Sequence, residues 1–230
     1  MTSYKFLQYN TDGLRLGWDV LEKLASDSDF ILLQRFPKDK QKELCEITGK
    51  VFTAESVSAD SFGLVLARAE GLSSIGSVET MYLPSRQLVQ AIGDKWQGCT
   101  ALKGTYNSQV TLVSVLPCFP ANVGEYPVTM EDSLKDIDYL LSNLKDSKTI
   151  IAGDLHWTPE ISEVNRLIEK HGFKSYLDGH KTFKNGSGQY INLDKLIANF
   201  DIEISDVKVY TDDSITQGHF PITYTVSWDL

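Results

Sequence analysis

The sequence predicts an α/β protein built as a sandwich of two mainly antiparallel sheets, with helices packed outside both. Three observations carry this. About ten short runs have strand patterning, against about four with helical periodicity. Many of those strands follow one another with no helix between them, which a simple alternating βαβ chain does not allow. Several apolar runs stop on a polar residue that no core requires, the shape of a strand presenting a side chain at its carboxyl end.

Residues 4–9 alternate as a strand, and Asn10-Thr11-Asp12-Gly13 ends it as a turn. Residues 18–25 read as a short helix with Trp18, Leu21 and Leu24/Ala25 on one face. Residues 30–33 are continuously apolar, hence a buried strand. Residues 38–48 read as helix, with Gly49 at C′. Residues 62–67, 78–83 and 87–92 read as strands. Residues 100–106 and 110–116 form a hairpin about Asn107-Ser108. The strongest helix is 129–144: Thr129 suits the N-cap, Glu131 and Asp132 the first turn, and Leu134, Ile137, Leu141 and Leu144 make the stripe. Residues 149–152 are a buried strand running into Gly153 and Asp154, then His156. Thr158 and Pro159 open a helix whose Ile161, Val164, Leu167 and Ile168 face inward until Gly172. Residues 190–197, 202–210 and 220–228 read as closing strands.

A chain of 230 residues with 42% hydrophobic and 23% charged residues can bury one large core. No linker, low-complexity segment or repeat divides it, so residues 1–230 are expected to be one domain. No apolar stretch approaches the ~18 residues that span a bilayer, and MTSYKFLQYN has no apolar signal region. Neither membrane nor secretion is expected. Cys45, Cys99 and Cys118 are odd in number and irregularly spaced, so they read as buried thiols in a reducing, cytoplasmic setting. The net charge of −9 argues against a protein that coats nucleic acid. It leaves room for an enzyme that touches a few phosphates locally, because a metal held by acids brings its own positive charge.

Four fragments in order, QYNTDG (8–13), SDFILLQRF (28–36), IIAGDLHWTP (150–159) and QGHFPI (217–222), together with TFKNGSGQYINLDKLIAN (182–199), resemble the endonuclease/exonuclease/phosphatase superfamily of DNase I-like, metal-dependent phosphoesterases. The resemblance covers nearly the whole chain and implies a four-layer α/β/β/α sandwich, in agreement with the element count. It places the first-strand Asn on Asn10 and the acid after it on Asp12. The GDFN motif gives Asp154, with His156 in place of Asn. The Asp of a later motif falls on Asp194, and the final SDH becomes Gln217-Gly218-His219. The metal-binding Glu is replaced by Arg35, and the Tyr or His expected near Leu116 is absent. Five positions are kept and four are lost.

The resemblance implies a phosphate-containing substrate, a nucleic acid or nucleotide, with Mg²⁺ or Mn²⁺ held by Asp12 and Asp154. His219 with Asp194 is the best catalytic pair. A carboxylate beside an imidazole fixes its tautomer and favours the cation, which would stabilise charge on phosphorus; a neutral His219 would instead take a proton from water. Asp154 orients water or binds metal, and Asn10 donates to a phosphate oxygen. Arg35 cannot ligate Mg²⁺. It salt-bridges Asp12 or Asp154 in a dead metal site, or its guanidinium forks onto a phosphate, or it points to solvent, which the buried run 30–33 and Phe36 on either side disfavour. His156 donates to phosphate or joins Asp154, Asp12 and His219 around a transition ion such as Mn²⁺ or Zn²⁺. Two functions stay open: a divergent phosphoesterase, nuclease-like or acting on a phosphomonoester, and a catalytically dead relative that binds a protein partner or a phosphate-bearing ligand without cofactor.

Overall fold

The computed structural model describes residues 1–11, 14, 16–48, 51–56, 62–68, 75–90, 99–117, 128–156 and 162–229. In chain order the elements are β1 (Thr2–Asn10), α1 (Trp18–Ser26), β2 (Phe30–Pro37), a 3-10 turn (Lys38–Lys40), α2 (Gln41–Thr48), β3 (Val51–Ser56), β4 (Phe62–Arg68), β5 (Ile75–Tyr82) and α3 (Arg86–Gln90). There follow β6 (Thr100–Tyr106), β7 (Val110–Leu116), α4 (Met130–Leu144), β8 (Lys148–Asp154), α5 (Ser162–Lys170), β9 (Lys174–Ser175), β10 (Phe183–Lys184) and β11 (Tyr190–Ile191). β12 (Asp194–Ala198), β13 (Glu203–Val209), β14 (Gly218–His219) and β15 (Ile222–Trp228) close the chain. One six-stranded sheet runs β13-β15-β1-β2-β4-β3 and the other β5-β6-β7-β8-β12-β9, with a small sheet β11-β10-β14 beside them. Both large sheets are mostly antiparallel; β1 with β2 and β7 with β8 are the parallel pairs.

Strand alternation sorts the residues into layers. On β1, Tyr4 and Phe6 enter the core between the sheets, with Phe30 and Leu32 of β2, Ile150 and Ala152 of β8, and Tyr224 and Trp228 of β15. The odd positions Leu7, Tyr9, Ile31 and Leu33 face the other way and bury Leu21 and Leu24 of α1 and Leu44 of α2. On the second sheet, Ile151 and Ile197 pack under Ile137, Leu141 and Leu144 of α4 and Val164 and Ile168 of α5. The result is the expected α/β/β/α sandwich. Helix α4 is capped as anticipated: Thr129 accepts from the Asp132 backbone, and the Asp132 side chain bonds back to the Thr129 N–H.

Several expectations are corrected. Residues 87–90 belong to α3, not to a strand: the Asp136 carboxylate accepts the Ser85 N–H at 2.8 Å and pins a helical turn there. The run 190–197 is two strands in different sheets, because the Asn192 amide donates to the Leu177 and His180 carbonyls and turns the chain between them. Strand β3 was not anticipated. The start of the helix at Thr158, Gly49, Trp157 and residues 118–127 lie outside the described residues. The reading of the cysteines as thiols holds for Cys45, while Cys99 is disulfide-bonded. No helix among the described residues is long and apolar enough to cross a membrane.

Toward one end of the sandwich the inward positions turn polar. Gln8 and Asn10 continue the inward row of β1, Gln34 that of β2, Asp154 that of β8 and Asp194 that of β12, and all are fully or almost fully buried. Gln8 ties the sheets together, donating to the Gly153 carbonyl at 3.1 Å and the Lys195 carbonyl at 3.2 Å while accepting from Tyr224 Oη. Gly153 stands opposite Val115, and a Cβ there would lie 2.0 Å from the Val115 carbonyl oxygen. The glycine before Asp154 is thus set by the close approach of β7. Gly153→Ala is expected to cost about 2 kcal/mol or more of stability, read as a lower urea midpoint; an unchanged midpoint would show that β7 and β8 do not meet as described.

Candidate functional site

Asp154 and Asp194 are register partners across the antiparallel β8–β12 pair. Two carboxylates opposite each other and out of water repel strongly. His219 relieves this from the short strand β14. Its Nδ1 lies 3.2 Å from Asp194 Oδ2 and its Nε2 3.3 Å from Asp154 Oδ2. Asn10 Nδ2 donates to Asp154 Oδ2 at 2.8 Å and lies 3.3 Å from His219 Nε2. Since Asp194 can only accept, Nδ1 carries a hydrogen, and Nε2 is the nitrogen left to exchange a proton. Phe183 flanks the imidazole with ring centroids 4.6 Å apart, and Thr182 Oγ1 accepts the Asp194 N–H. Asn10, Asp154, Asp194 and His219, from four separate parts of the sequence, therefore converge.

His156 and Arg35 adjoin this cluster. The His156 N–H donates to Asp154 Oδ1 at 2.9 Å and its Nδ1 lies 3.2 Å from the same oxygen. Arg35 sits in a bulge of β2: between Leu33 and Phe36 the strand advances three residues while β4 advances from Val65 to Gly63. The extra residue returns Phe36 to the outer core and re-aims Arg35. Thr11 holds the bulge, its Oγ1 donating to the Arg35 carbonyl at 2.7 Å. Arg35 and His156 have φ of 52° and 55°, left-handed conformations that cost energy in residues with a Cβ. Gly218, where the resemblance expects an acid, has φ 153°, a glycine conformation. Asp12 lies outside the described residues. Leu116 is buried in the inter-sheet core. Residues 186–189 are exposed, and Lys184 lies over the Tyr190 ring, so that loop is a solvated hairpin.

Burial alone would raise the Asp154 carboxyl; the charges of His156 and His219, with the His156 N–H and the Asn10 amide, outweigh it and hold the group below its ordinary value. Burial depresses the His156 imidazole more than Asp154 raises it, and the charges of His219 and Arg35 depress it further.

A metal is implied by the resemblance, and Asp154, Asp194 and His219 do bring one ligand atom each within 4.8 Å of one another. Counting acceptors shows that the described donors do not fit such an ion. Asp154 Oδ1 accepts the His156 N–H and lies 3.2 Å from its Nδ1, and Oδ2 accepts from Asn10 and lies 3.3 Å from His219 Nε2. Both His219 nitrogens face carboxylates. That leaves Asp194 Oδ1, buried and without a hydrogen-bond partner, as the one open oxygen of the three residues. Mg²⁺ and Mn²⁺ favour about six oxygen-rich ligands. The role of Asp154 as a metal ligand draws no support from this acceptor count.

Gln8, Gln34, Thr182 and Phe183 were not singled out from sequence. The inward alternation Tyr4, Phe6, Gln8, Asn10 carried the signal for Gln8, and Leu32, Gln34 that for Gln34.

Both shifted groups tie stability to pH with the same sign. Each has a folded pKa below its unfolded one, so its contribution is complete above the unfolded value and is lost as pH falls toward the folded value. For His156 the loss begins near the ordinary imidazole pKa of about 6.5, and for Asp154 near the ordinary carboxylate range. Melting temperature is expected to fall between pH 7 and pH 5, with a shallower slope in His156→Asn; equal slopes would refute the burial of a neutral imidazole.

No family model and no curated protein matches the sequence. Solved structures do match over nearly the whole chain. An endonuclease/exonuclease/phosphatase family protein from Leptotrichia buccalis superposes with TM-score 0.71 at 15% identity, covering 98% of this chain and 100% of that one. The mannosyl-6-phosphatase of Bacteroides thetaiotaomicron gives 0.67 at 12% identity, covering 98% and 100%. TDP2 of D. rerio complexed with single strand DNA product gives 0.65 at 13%, covering 99% and 100%. The chain has the α/β sandwich fold of these endonuclease/exonuclease/phosphatase proteins, at 12–15% sequence identity to them.

Proposed function

We propose that the chain is a phosphoesterase, hydrolysing a phosphodiester or phosphomonoester at His219 and the residues around it. The observation that carries this is the intact Asp194–His219–Asn10–Asp154 cluster, with one imidazole nitrogen fixed by a carboxylate and the other beside an amide donor. A buried His–Asp pair that only pinned two strands would need neither Asn10 nor Asp154 at Nε2. Among proteins of this fold, one is a phosphatase and another is seen with a DNA product. That supports phosphate esters as the class and leaves nucleic acid, nucleotide and sugar phosphate to be distinguished.

In the reaction a neutral His219 accepts a proton from water at Nε2 as the water oxygen bonds to phosphorus. The bond from phosphorus to the ester oxygen breaks, and that oxygen takes a proton from solvent. The imidazolium lies between Asp194 and Asp154, which lowers its free energy. Asn10 steadies Nε2 and Asp154, and Arg35 supplies positive charge for the phosphoryl oxygens.

The second reading, a protein that binds a phosphate-bearing ligand or a protein partner without cleaving it, is favoured by Arg35 and Gly218 standing where the resemblance expects acids. One assay separates the two. Single-stranded and duplex DNA and RNA, mononucleotides and mannose 6-phosphate are incubated with Mg²⁺, Mn²⁺, Zn²⁺ or EDTA. Turnover is expected for at least one substrate, reduced on the order of 10²-fold or more in His219→Ala. No cleavage anywhere, or equal rates in the variant, would leave the binding reading.

A further inference from the structure

The charged groups of the site are layered. Asp154 and Asp194, 0% and 1% exposed, form its back wall, and His219 covers them at 6%. In front are His156, whose side chain is 17% exposed, and the half-buried Arg35. Among the described residues of the site, His219, His156 and Arg35 are more exposed than the two carboxylates.

We propose that this pocket takes a phosphoryl group directly, with Arg35 in the place of a divalent cation and no metal ion between protein and phosphate. Three independent observations support it. Both oxygens of Asp154 already accept a hydrogen bond from the protein and lie beside an imidazole nitrogen, so an ion there would have to break two hydrogen bonds and displace two imidazole contacts. The bulge and left-handed backbone at Arg35 are a local distortion that a solvent-facing Arg would not require. Thr11 ties this part of β2 to the end of β1, its N–H donating to the Gln34 carbonyl and its Oγ1 to the Arg35 carbonyl, which sets Arg35 beside Asn10, and the charge of Arg35 is felt at His156. A guanidinium offers two parallel N–H donors to two phosphate oxygens, the geometry in which an Arg–phosphate pair is strongest.

The inference rests on the phosphoesterase reading only in naming phosphate as the ligand, and calorimetry tests the two separately. The full chain, freed of metal with EDTA and dialysed, is titrated with MgCl2 and with MnCl2; inorganic phosphate is then titrated in the presence of EDTA. Neither metal is expected to give a saturable isotherm, and phosphate is expected to bind in EDTA. Arg35→Gln is expected to weaken phosphate roughly ten- to hundredfold, the worth of lost charge-assisted hydrogen bonds. A circular dichroism melt checks that variant; if it melts early, Arg35→Lys, which keeps the charge and loses the fork, is expected to bind phosphate more weakly than the native chain. A saturable metal isotherm lost in Asp154→Asn, a failure of phosphate to bind in EDTA, or undiminished phosphate affinity in the folded variant would each overturn the proposal. Hydrolysis that EDTA abolishes and Mg²⁺ restores would overturn it and leave the phosphoesterase standing. Phosphate bound in EDTA without hydrolysis of any substrate would do the reverse.

Discussion

The site depends on one electrostatic problem and its solution. The antiparallel register of β8 and β12 sets Asp154 opposite Asp194 inside the sandwich, where neither carboxylate reaches water. Left alone, the pair would hold a shared proton or push the strands apart. An imidazole stands between them, its Nδ1 3.2 Å from Asp194 and its Nε2 3.3 Å from Asp154, and keeps the two carboxylates apart. It also determines where the chain must go: β14 exists as a two-residue strand on β10 that delivers His219 to that gap.

This requirement explains why the core changes character along its length. The inter-sheet layer is aromatic and aliphatic around Phe6, Phe30 and Trp228. A buried polar cluster is tolerable only when every strand bordering it offers partners. Gln8 and Gln34 supply them, Gln8 by bonding carbonyls of two strands of the opposite sheet and Gln34 by donating to Ser114 at 2.9 Å. Gly153 lets β7 come close enough to close the layer. The polar end is thus a consequence of packing that surrounds the two acids.

Much of this was legible in the sequence. Alternation in residues 4–9 and the run into Asp154 report which face each side chain takes, and that is a local property. The hairpin at Asn107-Ser108 was legible because both residues adopt positive φ, as a two-residue turn demands. What escaped was decided by partners distant in sequence. Residues 86–90 became a helix under the influence of Asp136, and 190–197 broke in two because Asn192 finds two carbonyls of another loop. The convergence of the site residues came from the resemblance. Its acceptor count came only from the structure, because hydrogen-bond saturation cannot be read from residue types.

The two exchanged positions, Arg35 and His156, belong together physically. Both have left-handed backbone, Arg35 in the bulge of β2 and His156 just past the end of β8, and the charge of Arg35 is felt at His156. Replacing an acid by Arg changes the local charge by two, which is the charge a divalent ion would have brought. With that charge fixed covalently, a neutral imidazole at His156 is the compatible neighbour, since a second cation beside Arg35 would be repelled. Burial favours the same neutral form. The carboxylate–imidazole cluster and the pair Arg35 and His156 are thus held by separate contacts, so on one fold either set can change without the other.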